Sequence, residues 1–112
     1  MNTTIIFEGK TIEFDEHGYL IDINMWTEKL AVYLSEQDGL KLKADHWEVI
    51  HFMRDYFIKY QITPMVRLIA KKINKNIRQD KYSVKYLYKL FPRTPVTHAC
   101  RYAGIPIPSG CI

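Results

Sequence analysis

The chain has 112 residues, of which 47% are hydrophobic and 13% aromatic, so the composition predicts one domain with a hydrophobic core and excludes a wholly disordered chain. No apolar run approaches the roughly 20 residues that span a bilayer, and no signal-peptide pattern opens the chain, so we expect a cytoplasmic protein without membrane contact. Two cysteines are too few for a disulfide scaffold or a four-cysteine zinc site.

The net charge of +4 conceals an acidic first half and a basic second half. Residues 1–58 hold 5 Lys and Arg against 11 acids, whereas residues 59–112 hold 11 against 1. A basic half of this kind suits either an ordinary solvated face or a surface that attracts nucleic acid or an acidic protein. Composition alone leaves both interpretations open.

The N-terminal segment predicts a small β-hairpin. Residues 4–8 and 11–14 are rich in β-branched and aromatic side chains, and Gly9 lies between them. Because a two-stranded sheet is marginal on its own, we expect this hairpin to pack against helices.

Apolar residues at helical spacing dominate the rest of the chain. They predict helices over residues 27–37, 44–60 and 83–90. The second of these is apolar over a wide arc, so we expect it to be the central helix of the fold.

Two Thr-Pro pairs mark the starts of two further predicted helices. The pair at 63–64 combines a capping residue with a proline suited to the first helical position, and the helical spacing continues to Ile73. Residues 74–82 are polar and are predicted as a loop. The pair at 94–95 repeats the start signal, and Gly104 ends the last helix.

These elements predict a mainly α fold, a compact helical bundle with a small N-terminal β-hairpin, in a single domain of residues 1–104. Residues 105–112 differ in kind because prolines at 106 and 108 forbid a helix and favour an extended chain. We therefore expect residues 105–112 to form a mobile C-terminal arm, called the arm below, which carries Cys111.

The two cysteines have different surroundings. Cys100 lies on the last predicted helix, where a small reduced core residue is the plain interpretation. Cys111 follows Gly110 near the end of the arm, where an exposed thiol is an oxidation hazard and so suggests use. A thiolate on a thin arm is suited to carry sulfane sulfur as a persulfide between two partner sites. A fully stretched chain from Gly104 to Cys111 covers roughly 26 Å at about 3.3 Å per residue, so the arm is long enough for Cys111 to fold back to Cys100.

The sequence resembles the DsrC/TusE family of sulfur carriers over nearly its whole length, and it is most similar to the TusE-type members. The C-terminal match comprises ACRYAGIP at 99–106 and SGCI at 109–112. Further matches are FEGK at 7–10, GYL at 18–20, HWE at 46–48, RDY at 54–56, Pro64 with Arg67, YLY at 86–88 and LFP at 90–92. The resemblance implies the helical fold with a terminal arm, a sulfurtransferase activity without independent turnover, and a persulfide on the residue that matches Cys111.

The family has two branches, and the resemblance leaves both open. TusE-type members take sulfur from a TusBCD complex and relay it to the MnmA thiouridylase and its tRNA, which becomes 2-thiolated at the wobble uridine. DsrC-type members serve dissimilatory sulfite reductase and use a second cysteine at the position of Cys100. Cys100 favours the second branch, whereas the N-terminal half and the composition, rich in Ile, Lys, Asn and Tyr, favour the first. We adopt the tRNA relay, with Cys111 as the carrier and Cys100 as a possible second thiol.

Other residues yield weaker signals. The four histidines at 17, 46, 51 and 98 form no metal-ligand pattern, so no metal and no cofactor are expected. Arg54 on an apolar helical face predicts a structurally satisfied arginine. The basic residues Lys71, Lys72, Lys75 and Arg78 predict a solvated face or a docking patch for an acidic partner or tRNA. A small nucleic-acid-binding domain remains the alternative from another class, although it provides no role for Cys111.

Overall fold

The computed structural model describes residues 1–108 of the chain. Strands β1 (Thr3–Phe7) and β2 (Lys10–Phe14) form an antiparallel hairpin in which Ile5 lies opposite Ile12. Its turn places Glu8 and Gly9 at φ 52° and 76°, which is the two-residue geometry that matches the twist of paired strands. One face of β2 is buried, so the hairpin packs on the helices as predicted.

Five α-helices make up most of the described chain: α1 (Glu28–Gln37), α2 (Ala44–Tyr60), α3 (Val66–Ile77), α4 (Val84–Leu90) and α5 (Pro95–Ala103). A short 3-10 helix at Ile23–Met25 precedes α1. The prediction of a mainly α bundle with a small hairpin is thereby confirmed. None of the helices in the described part is both long and apolar enough to cross a membrane.

Capping residues explain where several helices begin. The hydroxyl of Thr27 accepts a hydrogen bond from the backbone N–H of Leu30, and that of Ser83 accepts one from Tyr86. At the start of α2 the imidazole Nδ1 of His46 accepts a hydrogen bond from the backbone N–H of Lys43 at 3.0 Å. These side chains accept hydrogen bonds from backbone N–H groups that have no carbonyl partner at the start of a helix.

Helix α3 differs from its predicted boundaries at both ends. Thr63 and Pro64 precede the helix and are buried, and Met65 is its N-cap. At the other end α3 continues to Ile77, so the first part of the predicted loop 74–82 is helical. The extra turn places Ile77 against the core.

Helix α5 occupies the centre of the fold. It contacts α1, α2 and α4, and its Ala99, Cys100 and Ala103 are completely buried. Helix α2, predicted to be central, packs against both α5 and α3 and buries Val49, Ile50 and Met53. Small side chains let the neighbouring helices approach α5 closely, whereas the wide apolar arc of α2 leaves part of its surface exposed.

Candidate functional site

The structure describes one of the two candidate cysteines, Cys100. Cys111 lies outside the described residues, so its assignment as the sulfur carrier stays a prediction. Cys100 lies in α5 with 0% of its surface exposed, inside the main hydrophobic cluster. The interpretation of Cys100 as a small core residue is confirmed, and its possible chemical role stays a prediction.

Tyr19 lies within electrostatic range of Cys100. Burial raises the pKa of Tyr19, and the electrostatic influence of Cys100 raises it further. Cys100 therefore interacts with a phenol that stays protonated at neutral pH.

The C-terminal end of α5 is the point from which the arm departs. Gly104 adopts a left-handed conformation with φ 67°, and its backbone N–H donates to the carbonyl oxygen of Cys100. The next N–H, that of Ile105, donates to the same oxygen at 3.1 Å. These bonds end the helix in the way a C-terminal glycine favours.

Two side chains from distant parts of the chain bind the last carbonyl groups of α5. The indole Nε1 of Trp26 donates to the carbonyl oxygen of Tyr102 at 2.6 Å. The guanidinium of Arg54 donates to the carbonyl oxygens of Ala103 at 3.0 Å and Ile23 at 2.8 Å. The last carbonyl groups of a helix have no N–H partner within the helix, so Trp26 and Arg54 supply the hydrogen-bond donors that these groups need.

Trp26 and Arg54 also contact each other. The guanidinium carbon of Arg54 lies 4.5 Å from the centroid of the indole ring, a cation–π geometry. Burial lowers the pKa of Arg54, and the charge of Asp55 opposes that shift. The prediction that Arg54 is structurally satisfied is confirmed. Its guanidinium binds the C-terminal end of α5, called the base of the arm below, because the arm begins there.

The described part of the arm, residues 105–108, is attached to the body. Ile105 is completely buried, and Pro108 is buried as well. The hydroxyl of Thr63 donates to the carbonyl oxygen of Pro106 at 2.7 Å. The prediction of Thr63 as a helix cap is therefore wrong, because its hydroxyl is used in a long-range bond to the arm.

A cleft of about 970 Å³ lies on another face of α5, between the β2–α1 connection, the end of α1 and the start of α5. In it Arg101 donates to Asp38 at 2.9 Å and to the carbonyl oxygen of Gly18 at 2.7 Å. Partial burial acts to raise the pKa of Asp38, but hydrogen bonds from Arg101 and Tyr102 outweigh it and hold that pKa below its usual value. Through these two contacts Arg101 of α5 connects the end of α1, at Asp38, with the loop that contains Gly18.

The histidines have separate structural surroundings. His46 Nε2 lies 2.7 Å from the carbonyl oxygen of Leu90, and His51 stacks on Trp47. Burial and the nearby Arg93 and Arg101 lower the pKa of His98, although Asp38 opposes this shift. Within residues 1–108, no three side chains of His, Cys, Asp or Glu lie where they could hold a metal ion.

The basic residues of α3 face solvent. The exposed cations on this helix and its C-cap are Arg67, Lys71, Lys72, Lys75 and Arg78. This exposure fits the solvated-face interpretation, and the docking role stays a prediction. Sequence reasoning missed the roles of Trp26 and Thr63 at the base of the arm, because a bond to a distant backbone carbonyl produces no local spacing pattern.

Comparisons with known proteins agree over almost the full chain. A family model described as "DsrC like protein" matches residues 6–112. The proteins named Sulfurtransferase TusE from Escherichia coli strain K12 and Shigella dysenteriae are both 41% identical to the chain over 108 residues, which is 96% of this chain and 99% of each relative.

Solved structures of similar proteins have the same architecture. The NMR structure of Allochromatium vinosum DsrC superposes with a TM-score of 0.90 at 44% identity and covers 100% of both chains. The oxidized gamma-subunit of the dissimilatory sulfite reductase from Archaeoglobus fulgidus superposes with a TM-score of 0.84 at 38% identity, over 98% of this chain and 100% of the other.

Proposed function

The chain belongs to the DsrC-like family and is a sulfurtransferase, and we propose that Cys111 carries the transferred sulfur as a persulfide. In this proposal residues 1–104 form the supporting domain and residues 105–112 form the arm that presents Cys111. The observation that carries it is the 41% identity to proteins named Sulfurtransferase TusE over 96% of the chain.

The burial of Cys100 supports Cys111 as the carrier. The reacting group must approach a sulfur atom held by another protein, and Cys100 has 0% of its surface exposed. Cys111 lies three positions beyond Pro108, where the described chain ends. A sulfur relay with one exchanging thiol therefore assigns the chemistry to Cys111 and a packing role to Cys100.

The transfer step is a thiol–persulfide exchange. The Cys111 thiolate attacks the terminal sulfur of a donor persulfide, a new S–S bond forms, and the donor's own S–S bond breaks. The electron pair of the broken bond leaves on the donor's thiolate, and the proton of the terminal sulfur remains on the new Cys111 persulfide. No external oxidant or reductant is required, because the sulfane sulfur moves at constant oxidation state.

The partners follow from the TusE-type resemblance. We propose a TusBCD-type complex as the donor and an MnmA-type tRNA thiouridylase, with its tRNA, as the acceptor. The product of the relay is then 2-thiouridine at the tRNA wobble position, made in the cytoplasm.

A second candidate is a DsrC-type partner of dissimilatory sulfite reductase. The TM-score of 0.90 to Allochromatium vinosum DsrC and the presence of Cys100 favour it. In that function a trisulfide joins Cys100 to Cys111, so Cys111 must reach the buried thiol of Cys100.

Mass spectrometry of the purified protein tests the proposal. Incubation with a persulfide donor is expected to add about 32 Da, one sulfur atom, to the peptide that contains Cys111. The Cys111→Ser variant is expected to remain folded, to gain no sulfur, and to abolish 2-thiouridine in cells that depend on it. Normal wobble thiolation in the Cys111→Ser strain contradicts the proposed function.

A further inference from the structure

An apolar surface surrounds the turn between α2 and α3. Within residues 1–108, nine large hydrophobic side chains are exposed, and four of these fall within the eight positions 58–65. They are Ile58, Tyr60, Ile62 and Met65, with exposed fractions of 51%, 51%, 63% and 49%. We call residues 58–65 the α2–α3 turn. Exposed apolar groups of this density mark interaction sites more often than ordinary surface.

We propose that the α2–α3 turn is the surface on which the sulfur-donor protein docks while it loads Cys111. This inference rests on the proposed function, since it requires that Cys111 receives the sulfur.

The α2–α3 turn lies directly beside the arm. Thr63, inside the turn, is 6% exposed and donates its hydroxyl hydrogen to the carbonyl oxygen of Pro106 at 2.7 Å. Ile105, next to Pro106, is completely buried in the core. The arm is therefore bound to the α2–α3 turn at Pro106, with Ile105 anchored in the core before it.

The length of the remaining chain limits where the sulfur can be exchanged. Three residues lead from Pro108 to Cys111, and a fully extended chain spans at most about 11 Å over that distance. The donor's persulfide must therefore come close to Pro108. A standard interface covers about 800 Å² per partner, or roughly 16 Å in radius, so an interface formed around Cys111 is large enough to include the α2–α3 turn.

Composition and charge indicate what kind of surface fits this turn. Four of its exposed side chains are apolar. Exposed cations lie within it at Lys59 and on α3 at Arg67 and Lys71, and Asp55 is the nearest acid before them in the sequence. Side chains such as Ile62 offer nothing to phosphate groups, so the centre fits protein better than nucleic acid. The complementary surface has an apolar centre and acidic residues on the adjoining rim.

The donor fits this surface better than the acceptor. An acceptor that holds tRNA presents phosphates near its site, for which lysine and arginine are the complementary groups. During uptake no tRNA takes part, so protein surface alone must hold the two molecules together. The apolar α2–α3 turn provides that kind of contact.

The test compares two double variants of the full chain. Ile62→Glu with Met65→Glu places charges in the turn, and Ile6→Glu with Val32→Glu places the same charges on residues 72% and 38% exposed elsewhere. Each protein is mixed with a purified, persulfide-loaded TusBCD-type complex, and sulfur on Cys111 is followed by mass spectrometry. A parallel reaction uses inorganic polysulfide, which needs no docking surface.

We expect the turn variant to load from the protein donor about tenfold more slowly than wild type, as for the loss of a central interface contact. The control variant is expected to match wild type, and both are expected to load normally from polysulfide. Circular dichroism checks the fold, and Ile58→Glu on the exposed side of α2 provides a second variant of the same surface.

Each other outcome overturns the inference in a distinct way. Equal loading of the turn variant and wild type from the protein donor excludes donor docking at this turn. Slow loading from polysulfide as well means that the turn acts on residues 109–112 of its own chain. Normal loading with impaired delivery to tRNA assigns the turn to the acceptor. If wild-type Cys111 gains sulfur from neither source, the proposed function itself has failed.

Discussion

The indole nitrogen of Trp26 donates a hydrogen bond of 2.6 Å to the carbonyl oxygen of Tyr102, although 76 positions separate the two residues. This bond lies at the C-terminal end of α5, where Arg54 binds the next carbonyl oxygen, that of Ala103. The segment before α1 and the middle of α2 together fix the place at which the chain leaves the domain. The base of the arm is consequently part of the core.

Trp26→Phe is expected to lower the free energy of unfolding by about 2 kcal/mol, because the substitution keeps an aromatic ring but leaves the Tyr102 carbonyl oxygen without its donor. Urea denaturation measures the change. Trp47→Phe is the matched control, since Trp47 stacks on His51 from a partly buried position in α2. Equal losses in the two variants contradict a specific role for the indole hydrogen bond.

Gly104→Ala is expected to destabilise the protein by about 3 kcal/mol, the sum of a left-handed backbone cost and a steric clash. A Cβ atom at Gly104 meets Cδ1 of Trp26 at 2.5 Å. Gly39→Ala isolates the backbone contribution, because Gly39 has φ 77° and no heavy atom within 4 Å of the added Cβ. We expect Gly39→Ala to cost about 1 kcal/mol in thermal or urea unfolding. The prediction is wrong if the two alanines cost the same.

Asp38 confers a pH dependence on stability. Its pKa is lowered in the folded protein, so its contribution is present above the unfolded pKa of about 3.9 and is lost as the pH falls through the folded value. We expect Asp38→Asn to lower the free energy of unfolding at pH 7 by about 1 kcal/mol, a modest amount because the carboxylate is partly exposed. Below about pH 4 the difference from wild type is expected to shrink. A difference that stays constant from pH 7 to pH 3 contradicts the assignment.

Cys100→Ala separates the two candidate functions. In a relay with one exchanging thiol, cells with this variant are expected to keep nearly normal 2-thiouridine, since the thiol is buried and takes no part. The smaller side chain is expected to cost about 1 kcal/mol of stability through lost packing, so folding is checked by circular dichroism. Loss of tRNA thiolation in a folded Cys100→Ala protein means that the second cysteine belongs to the relay.

The sequence determines the local structure of this protein well. Residues 44–60 form a helix as predicted, because apolar spacing and the absence of proline act over neighbouring positions. Thr27, Ser83 and Gly104 mark helix ends in the way their side chains or backbone freedom favour. Local signals of this kind require only residues a few positions apart.

The C-terminal end of α3 is a feature that local sequence patterns did not predict. Residues 74–77 are polar except for Ile77, and the sequence predicts a loop there. In the structure the side-chain oxygen of Asn74 accepts hydrogen bonds from the backbone N–H groups of Lys81 and Tyr82. These bonds hold the segment between α3 and α4 against the end of α3. The helix extends by a further turn because Ile77 then packs against the core.

The sequence by itself determined the helical class, Cys100 as a core residue and the end of α5 at Gly104, since burial preference, periodicity and backbone freedom are local properties. Only the tertiary structure decided that Thr63 binds Pro106 instead of capping α3, and that Trp26 and Arg54 bind the end of α5. The physical reason is that every residue has the same backbone carbonyl oxygen as a hydrogen-bond acceptor, whatever its side chain. Which distant donor reaches a particular carbonyl depends on how the helices pack, and no spacing in the sequence encodes it.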